Sequence, residues 1–254
     1  MVRRSKLVAF SICDHDSYEA YLEIRKLLKK NDPELVPGVE LSAGSDGEDI
    51  HILGYCFDPD SDILGEAVER FREGRNRRGE IMLKRLKMLG IDITMDLVRE
   101  IAGGSAIGRP HVADALVRVK AVEKFEDAFS HYIGLRGPAY VPKENLTPGE
   151  AIELIHRANG LAVLAHPGIA AADKYINEFI GYGMDGIEVY HPRHTQAQRE
   201  HYMEIAKERH LLSTGGSDYH GREGRYGMIG SQPVPVRLLT ELKEKSNLEN
   251  RGSS

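Results

Sequence analysis

The chain of 254 residues contains no tryptophan and only two cysteines, and aromatic residues make up 7% of it. With so few thiols, a structural zinc site rich in cysteine is excluded. Cys13 and Cys56 each lie inside an apolar run. We therefore expect buried, reduced thiols, a pattern that favours a cytoplasmic protein.

The sequence also lacks a long apolar stretch. The run behind the basic start at 1–6 spans about six residues before Asp14, which is shorter than the roughly 7–15 residues of a signal-peptide core. No segment approaches the roughly 20 apolar residues of a transmembrane helix, so no membrane contact is expected. The formal net charge of -5 argues against a surface that coats nucleic acid, although a local basic groove is compatible with it.

The periodicity predicts an α/β fold that is interrupted by helices. In the first quarter of the chain, apolar patterning predicts strands at 7–12, 34–42 and 50–57 and one amphipathic helix at 18–30. A basic stretch with apolar residues at helical spacing follows, and the α/β pattern then resumes with Thr147 as a helix N-cap. The predicted organisation is a first barrel part at 1–62, a helical insertion at 63–140, a second barrel part at 141–245 and a flexible polar tail at 246–254.

Eleven histidines occur, and several lie beside acidic residues where predicted strands end. The segment "SICDHD" ends the first predicted strand, and Glu40, His166 and the Asp218/His220 pair end later ones. His51 differs, because it begins its strand. In barrel enzymes the carboxyl ends of strands converge on one face and supply the catalytic groups, so these side chains predict a common site.

A mixture of imidazoles and carboxylates without a thiolate suits Zn²⁺, Mn²⁺ or Fe²⁺. Two or three such ions, about 3.5–4 Å apart, bind the attacking and leaving oxygens of a phosphoester and lower the pKa of a bound water. Glu40 is suited to bridging two ions because a carboxylate has two oxygens, whereas an imidazole offers one lone pair.

Seven segments resemble, in order, the polymerase-and-histidinol-phosphatase (PHP) family of metal-dependent phosphoesterases. These segments are "ICDHD", "VPGVELS", "DIHILGYCFD", "GRPHVADALV", "LAVLAHPG", "GIEVYHPRHT" and "TGGSDYHG". The branch that they most resemble acts on nucleoside 3',5'-bisphosphates and RNA 5' ends, and the resemblance covers essentially the whole chain. It implies a distorted (β/α)7 barrel with a trinuclear metal site and a helical insertion. A relation to the histidinol phosphate branch is less favoured, because the insertion carries "GRPH".

The resemblance also implies roles for individual residues. Glu40, His15 and His166 form the catalytic centre, and Asp14 is either a ligand or a partner that orients His15. The implied metal ligands are Asp14, His15, Glu40, His51, His166, Asp218 and His220. Arg109 and His111 of "GRPH" match an element that reaches a substrate phosphate, which the planar fork of arginine binds well.

Other charged or polar residues are weaker candidates for the site. His194 could contact the substrate from the end of its strand or lie in a surface loop, and His191 is a weaker candidate still. Arg222 and Arg225 could hold a second phosphate, although charged loop residues are commonly solvated.

Family members begin with a strand that carries a His-x-His pair, and this sequence contains no such pair. The resemblance therefore predicts an N-terminally incomplete barrel. The first hypothesis is an enzyme that hydrolyses phosphomonoesters of nucleotides, of the 3',5'-bisphosphate type, or of short RNA or DNA ends. The second is a truncated protein that binds fewer metal ions, or a nucleotide, with little turnover. A third is that the coding sequence starts upstream. The sequence leaves the oligomeric state open.

Overall fold

A computed structural model describes residues 2–45, 48–104, 106–143, 146–170, 172–221 and 228–252. The chain divides into two compact units. One unit comprises Met1–Gly65 with Asn145–Ser254, and the other comprises Glu66–Glu144. All of the described strands lie in the first unit, whereas the described residues of the second form helices and connecting turns.

Among the residues that the structure describes, seven strands form a two-stranded and a five-stranded sheet, in the orders β1-β2 and β3-β4-β5-β6-β7. β1 and β2 are parallel, β4 is antiparallel to both of its neighbours, and β5, β6 and β7 are parallel. The five-stranded sheet is therefore mixed, and the fold is α/β as predicted. The strands are β1 (Ala9–Ser11), β2 (Glu34–Val36), β3 (Gly38–Ser45), β4 (Glu48–Tyr55), β5 (Leu161–Leu164), β6 (Gly186–Tyr190) and β7 (Leu212–Gly215).

The single strand predicted at 34–42 is two strands, β2 and β3, separated by Pro37. Proline cannot donate a ladder hydrogen bond, which explains the break. The two sheets are connected where His15 forms an isolated parallel bridge with Glu40. The backbone amide of Asp16 donates to the carbonyl of Glu40, and the amide of Glu40 donates to the carbonyl of Asp14. The loop after β1 is thereby held against β3.

Ten α-helices are described, with bounds α1 (Glu19–Ile24), α2 (Asp62–Met88), α3 (Met95–Ala102), α4 (Arg109–Arg118), α5 (Phe125–Ala128), α6 (Pro148–Arg157), α7 (Pro167–Ala170), α8 (Ile176–Gly181), α9 (Gln196–Glu208) and α10 (Val236–Gly252). The predicted cap of α6 is confirmed, since Thr147 Oγ1 accepts from the amide of Glu150 at 3.2 Å. None of the described helices combines the length and the apolar character that a membrane span requires.

Two helices differ from their predicted bounds. α1 ends at Ile24, short of the predicted end at residue 30, because the amides of Lys26 and Leu27 donate to carbonyls only three residues back, in tight turns that do not continue the helix. α10 is helical through Gly252, into the stretch predicted as a flexible tail, and 253–254 lie outside the described residues. Leu238, Leu242 and Ser246 recur every four residues on α10 and are buried, which anchors this helix.

One face of the five-stranded sheet carries an apolar core. Residues that pair across neighbouring strands share a face, and Leu53 pairs with Val163 in this core. Tyr55, Leu161 and Ala165 belong to the same buried cluster. The polar residues described below continue the same face towards the carboxyl ends of the parallel strands. The helical unit has a separate core, built mainly from α2, α3 and α4.

Candidate metal centre

Four predicted ligands meet at one edge of the sheet. Glu40 lies on β3, His51 lies on β4, His166 follows β5, and His15 lies in the loop after β1. β4 runs antiparallel to β5, so a residue near the start of β4 reaches the edge at which β5 ends. His51, near the start of its strand, therefore lies at the same edge as the other three predicted ligands.

Glu40 is the centre of this group, and only 5% of the residue is exposed. Its Oε1 lies 2.7 Å from Nδ1 of His51 and 3.3 Å from Nε2 of His166. Its Oε2 lies 3.6 Å from Nδ1 of His15. Each carboxylate oxygen thus has at least one imidazole nitrogen beside it.

The charges of these side chains stabilise one another. Burial alone would raise the pKa of Glu40, but His15 and His51 outweigh this effect and hold the pKa of the carboxyl well below its usual range. Burial would lower the pKa of His166, but its hydrogen bond to Glu40 and the charge of that carboxylate raise the pKa to about 9. Without a metal ion, the group is held together by an anion shared among imidazoles.

The donor set fits a divalent metal ion. One ligand atom each from His15, Glu40 and His51 lies within 4.8 Å of the others. The ring nitrogens of His51 and His166 that face Glu40 are 3.3 Å apart. Nδ1 of His166 is buried and has no hydrogen-bond partner among the described residues. Because buried polar atoms in folded proteins nearly always have a partner, this unpartnered nitrogen fits a site that takes up a further group.

A second group of side chains adjoins the first. Nε2 of His191 lies 3.2 Å from Oδ2 of Asp218, and Nδ1 of His220 lies 3.5 Å from Oδ1 of the same carboxylate. The rings of His166 and His191 have centroids 5.6 Å apart, and those of His15 and His220 are 6.0 Å apart. The two groups therefore form one continuous polar site.

Asp14 also contributes to the electrostatics of this site. Burial raises the pKa of its carboxyl group, and the charge of His220 counteracts this effect. The influence of His220 and of Glu40 on that carboxyl is consistent with either role expected for Asp14, as a ligand or as an orienting partner.

Two predicted ligands occupy unusual backbone conformations. His166 has φ of 26° and Asp218 has φ of 48°. Residues other than glycine rarely adopt positive φ, and such strain is concentrated at functional sites. Both residues directly follow the region where a strand ends, so the strained backbone determines how their side chains leave the sheet.

Sequence reasoning missed Glu188, which lies on β6 and is 6% exposed. Its Oε2 accepts a hydrogen bond of 2.8 Å from the backbone amide of His166. Burial raises the pKa of its carboxyl group to about 7. The signal was present in "GIEVY", because a single carboxylate inside an apolar strand is uncommon unless it has a partner.

The predicted substrate-binding residues lie in different units of the chain, His194 in the first unit and Arg109 in the helical unit. His194 is 4% exposed, its Nδ1 lies 3.0 Å from the carbonyl of Val189, and its Nε2 accepts from the amide of Gly168. In the helical unit, Arg109 begins α4, and its guanidinium lies 5.9 Å from the ring centroid of Phe129 and 5.8 Å from that of Tyr140.

His111 caps the same helix, since its Nδ1 accepts from the amide of Gly108. Arg222 and Arg225 lie outside the described residues. The structure thus brings the predicted metal ligands together in the first unit, and the roles of Arg109, His111, His194 and Arg225 stay predictions.

Comparison with known proteins agrees with the chemistry of this site. No family model matches the chain. The chain is similar to the 5'-3' exoribonuclease Rnm of Escherichia coli, with 30% identity over 217 residues that cover 83% of this chain and 74% of the relative. The fold is similar to a Bifidobacterium adolescentis structure assigned as a metal-dependent phosphoesterase, with a TM-score of 0.83 and 30% identity over 95% of this chain and 87% of that one.

The chain belongs to this family of metal-dependent phosphoesterases. A further relative is the 3',5'-nucleoside bisphosphate phosphatase of Chromobacterium violaceum, 29% identical over 85% of this chain and 78% of the relative. The prediction of a metal-dependent phosphoester hydrolase is therefore confirmed at the level of the family. In this phosphoesterase, the group around Glu40 is compatible with metal binding.

Proposed function

We propose that this phosphoesterase hydrolyses phosphomonoesters of nucleotides, of the 3',5'-bisphosphate type, or phosphoesters at the 5' ends of short RNA or DNA. Two relatives support this substrate class, since one is named a nucleoside bisphosphate phosphatase and another a 5'-3' exoribonuclease. The seven ordered sequence motifs support membership of the PHP family. A cytoplasmic location stays a prediction.

The observation that carries the proposal is the convergence of three imidazoles on the buried carboxylate of Glu40. We propose that His15, Glu40, His51 and His166 hold divalent ions, and that Asp14, Asp218 and His220 complete the set. When bound, divalent ions such as Mn²⁺, Zn²⁺ or Fe²⁺ supply positive charge that polarises a phosphoryl group and lowers the pKa of water.

The protein's own side chains would hold the metal ions and orient the substrate. The negative charge of Glu40 offsets the repulsion among closely placed cations, and its two oxygens face different imidazoles. Burial of Glu40 strengthens these interactions, because charges attract more strongly where water is excluded. We propose that Arg109 and His111 bind a substrate phosphate, with His194 and Arg225 as further contacts.

The overall architecture that we propose is a distorted barrel of the PHP type. The bridge between His15 and Glu40 supports it, because this bridge places the two-stranded sheet beside β3 of the five-stranded sheet. The family resemblance implies a further strand of this barrel with a His-x-His pair, and the sequence contains no such pair.

The proposed activity is tested by phosphate release from adenosine 3',5'-bisphosphate after loading the purified protein with Mn²⁺. A 5'-phosphorylated RNA oligonucleotide, followed by gel electrophoresis, tests the second substrate type. We expect turnover of at least one substrate and none by Glu40→Gln under the same conditions. Glu48→Gln is a matched control on the adjoining strand, where Glu48 pairs with Lys174 on the surface. No turnover of either substrate by a folded, metal-loaded sample would overturn the proposal.

Counting bound metal ions separates the enzyme from the second hypothesis, a protein that binds metal or nucleotide with little turnover. The missing His-x-His pair motivates that hypothesis. Two or three ions per chain support the proposed enzyme. One ion or none supports the second hypothesis, and nucleotide binding without phosphate release would support it further.

A further inference from the structure

His191 is the most completely enclosed polar residue beside the metal centre, with a relative exposure of 0%. His191 lies in the motif "GIEVYHPRHT", but the sequence named it only as a weak candidate for contact with the substrate and gave it no role towards the metal ligands. Its position between β6 and α9 brings its ring against that of His166, with centroids 5.6 Å apart. The hydrogen bonds of this ring determine what it can do.

The hydrogen-bond neighbours of the His191 ring show which of its two nitrogens is the donor. The backbone amide of Arg193 points at Nδ1 with a separation of 3.1 Å. An amide nitrogen can only donate, so Nδ1 must be the unprotonated acceptor, and the ring proton of the neutral imidazole must lie on Nε2. Nε2 in turn lies 3.2 Å from Oδ2 of Asp218. His191 therefore donates a hydrogen bond to this carboxylate.

This hydrogen bond acts on a residue whose backbone is strained. Asp218 has φ of 48°, in a loop that has left the regular ladder of β7. With Oδ2 held by His191, the orientation of the carboxylate is set, and Oδ1 faces Nδ1 of His220 at 3.5 Å. The carbonyl of His191 also accepts from Arg199 on α9 at 3.3 Å, which ties the donor itself to a helix.

We propose that His191 is a positioning residue that holds Asp218 for metal binding through its Nε2–H. The proposal rests on the proposed function, because Asp218 is a ligand only if the site binds metal. In metal sites generally, groups that hydrogen-bond to a ligand fix its orientation, and their loss costs roughly 10–100-fold in metal affinity. His191 differs from a ligand in that both of its ring nitrogens are already used within the protein.

Two substitutions separate the two hydrogen bonds of the ring. In His191→Asn the side-chain oxygen can replace Nδ1 as acceptor for the Arg193 amide, as in an Asx turn, but no donor reaches Asp218. In His191→Gln the longer amide can replace Nε2 as donor to Asp218, but the Arg193 amide loses its acceptor. His201→Gln is the control, since the His201 side chain is half exposed on α9.

The experiment measures the affinity of the full chain for Mn²⁺ by calorimetry, with thermal unfolding as a check on folding. We expect roughly 10–100-fold weaker binding by His191→Asn and near wild-type binding by His191→Gln and by the control. At saturating Mn²⁺, the Asn variant should regain turnover. Histidine ¹⁵N NMR of the wild type should show the Nε2–H form of His191.

Three outcomes would overturn the proposal. These are wild-type Mn²⁺ affinity in a folded Asn variant, equal losses in the Asn and Gln variants, and an Nδ1–H form of His191. Failure of the proposed function is distinguishable from these results. Tight Mn²⁺ binding by the wild type without phosphate release would overturn the function alone, whereas absence of Mn²⁺ binding would overturn both.

Discussion

Glu188 accepts a hydrogen bond of 2.8 Å from the backbone amide of His166 and thereby connects β6 to the loop after β5. His166 has a positive φ of 26° and directs its Nε2 towards Glu40 at 3.3 Å. The carboxylate of Glu188 thus stabilises a strained peptide that places a predicted ligand. A buried residue outside the predicted ligand set contributes to the geometry of the site.

Glu188→Ala is expected to weaken metal binding, because the His166 amide loses its acceptor and its loop can relax. A loss of roughly 10–100-fold in Mn²⁺ affinity is expected, as for other groups that orient a ligand. Glu188→Gln retains an acceptor oxygen and should bind more tightly than the Ala variant. Calorimetric titration with Mn²⁺ measures both. Equal affinities of the wild type and a folded Ala variant would show that this hydrogen bond is dispensable.

Glu40→Gln is expected to lower the Mn²⁺ affinity more than the loss of any orienting group does, since it removes the charge that faces three imidazoles. Mn²⁺ affinity should therefore fall by more than roughly 100-fold. Elemental analysis after gel filtration measures the retained metal, and Glu48→Gln should retain the wild-type amount. Retention of the wild-type amount of metal by Glu40→Gln would show that Glu40 is not a metal ligand.

The metal-free protein should lose stability as the pH rises. The pKa of His166 is about 9 in the folded state, above the value of roughly 6.5 expected in the unfolded chain. A raised folded pKa stabilises the protein fully below the unfolded value, and this contribution disappears as the pH rises from about 6.5 through about 9. Thermal unfolding of the metal-free protein across this range measures the effect. In His166→Gln the pH dependence should be smaller.

Metal binding should release protons at neutral pH for the same reason. A metal ligand must present an unprotonated nitrogen, so Mn²⁺ has to displace the proton that His166 holds below about pH 9. Calorimetry at pH 7.5 in two buffers with different ionisation enthalpies measures the release, and affinity should increase as the pH approaches 9. Binding heats that are independent of the buffer would contradict the prediction.

Arg109→Ala is expected to raise KM for a bisphosphate substrate and leave the number of bound metal ions unchanged. A hydrogen bond to a charged group contributes about 1.5–3 kcal/mol, which corresponds to roughly a 10–100-fold change. Arg109→Lys should recover only part of this, because lysine lacks the planar fork. Arg118→Ala, at the other end of α4, is the control, since Arg118 pairs with Glu100 on the surface. An unchanged KM in Arg109→Ala would exclude it from substrate binding.

Local rules predicted the parts of the fold that depend on neighbouring residues. Thr147 is the predicted N-cap, and the structure adds a capping box with Glu150, a motif confined to four consecutive residues. The division of the strand at 34–42 was not predicted, although Pro37 marks it. The antiparallel course of β4 was also not predicted, because strand direction depends on pairing between distant segments.

In the candidate site too, local sequence patterns predicted some residues, whereas contacts between distant residues were not predicted. The tendency of His, Asp and Glu to follow predicted strands identified His15, Glu40 and His166, which the structure brings together. "GIEVY" marks Glu188 as a residue that needs a partner, but that partner could not be predicted, and neither could the donor role of His191. Each depends on a hydrogen bond between distant residues, 22 positions apart for Glu188 and 27 for His191. Contacts of this kind appear only when the strands are assembled.

The proposed function requires that the carboxylate of Glu40 and the imidazoles around it hold divalent metal ions. Anomalous diffraction from crystals of the protein grown with Mn²⁺ locates such ions. We expect a strong peak within coordination distance of Glu40 and of at least two of the three histidines at positions 15, 51 and 166. A well-ordered site with no peak beside Glu40, at saturating Mn²⁺, would contradict it.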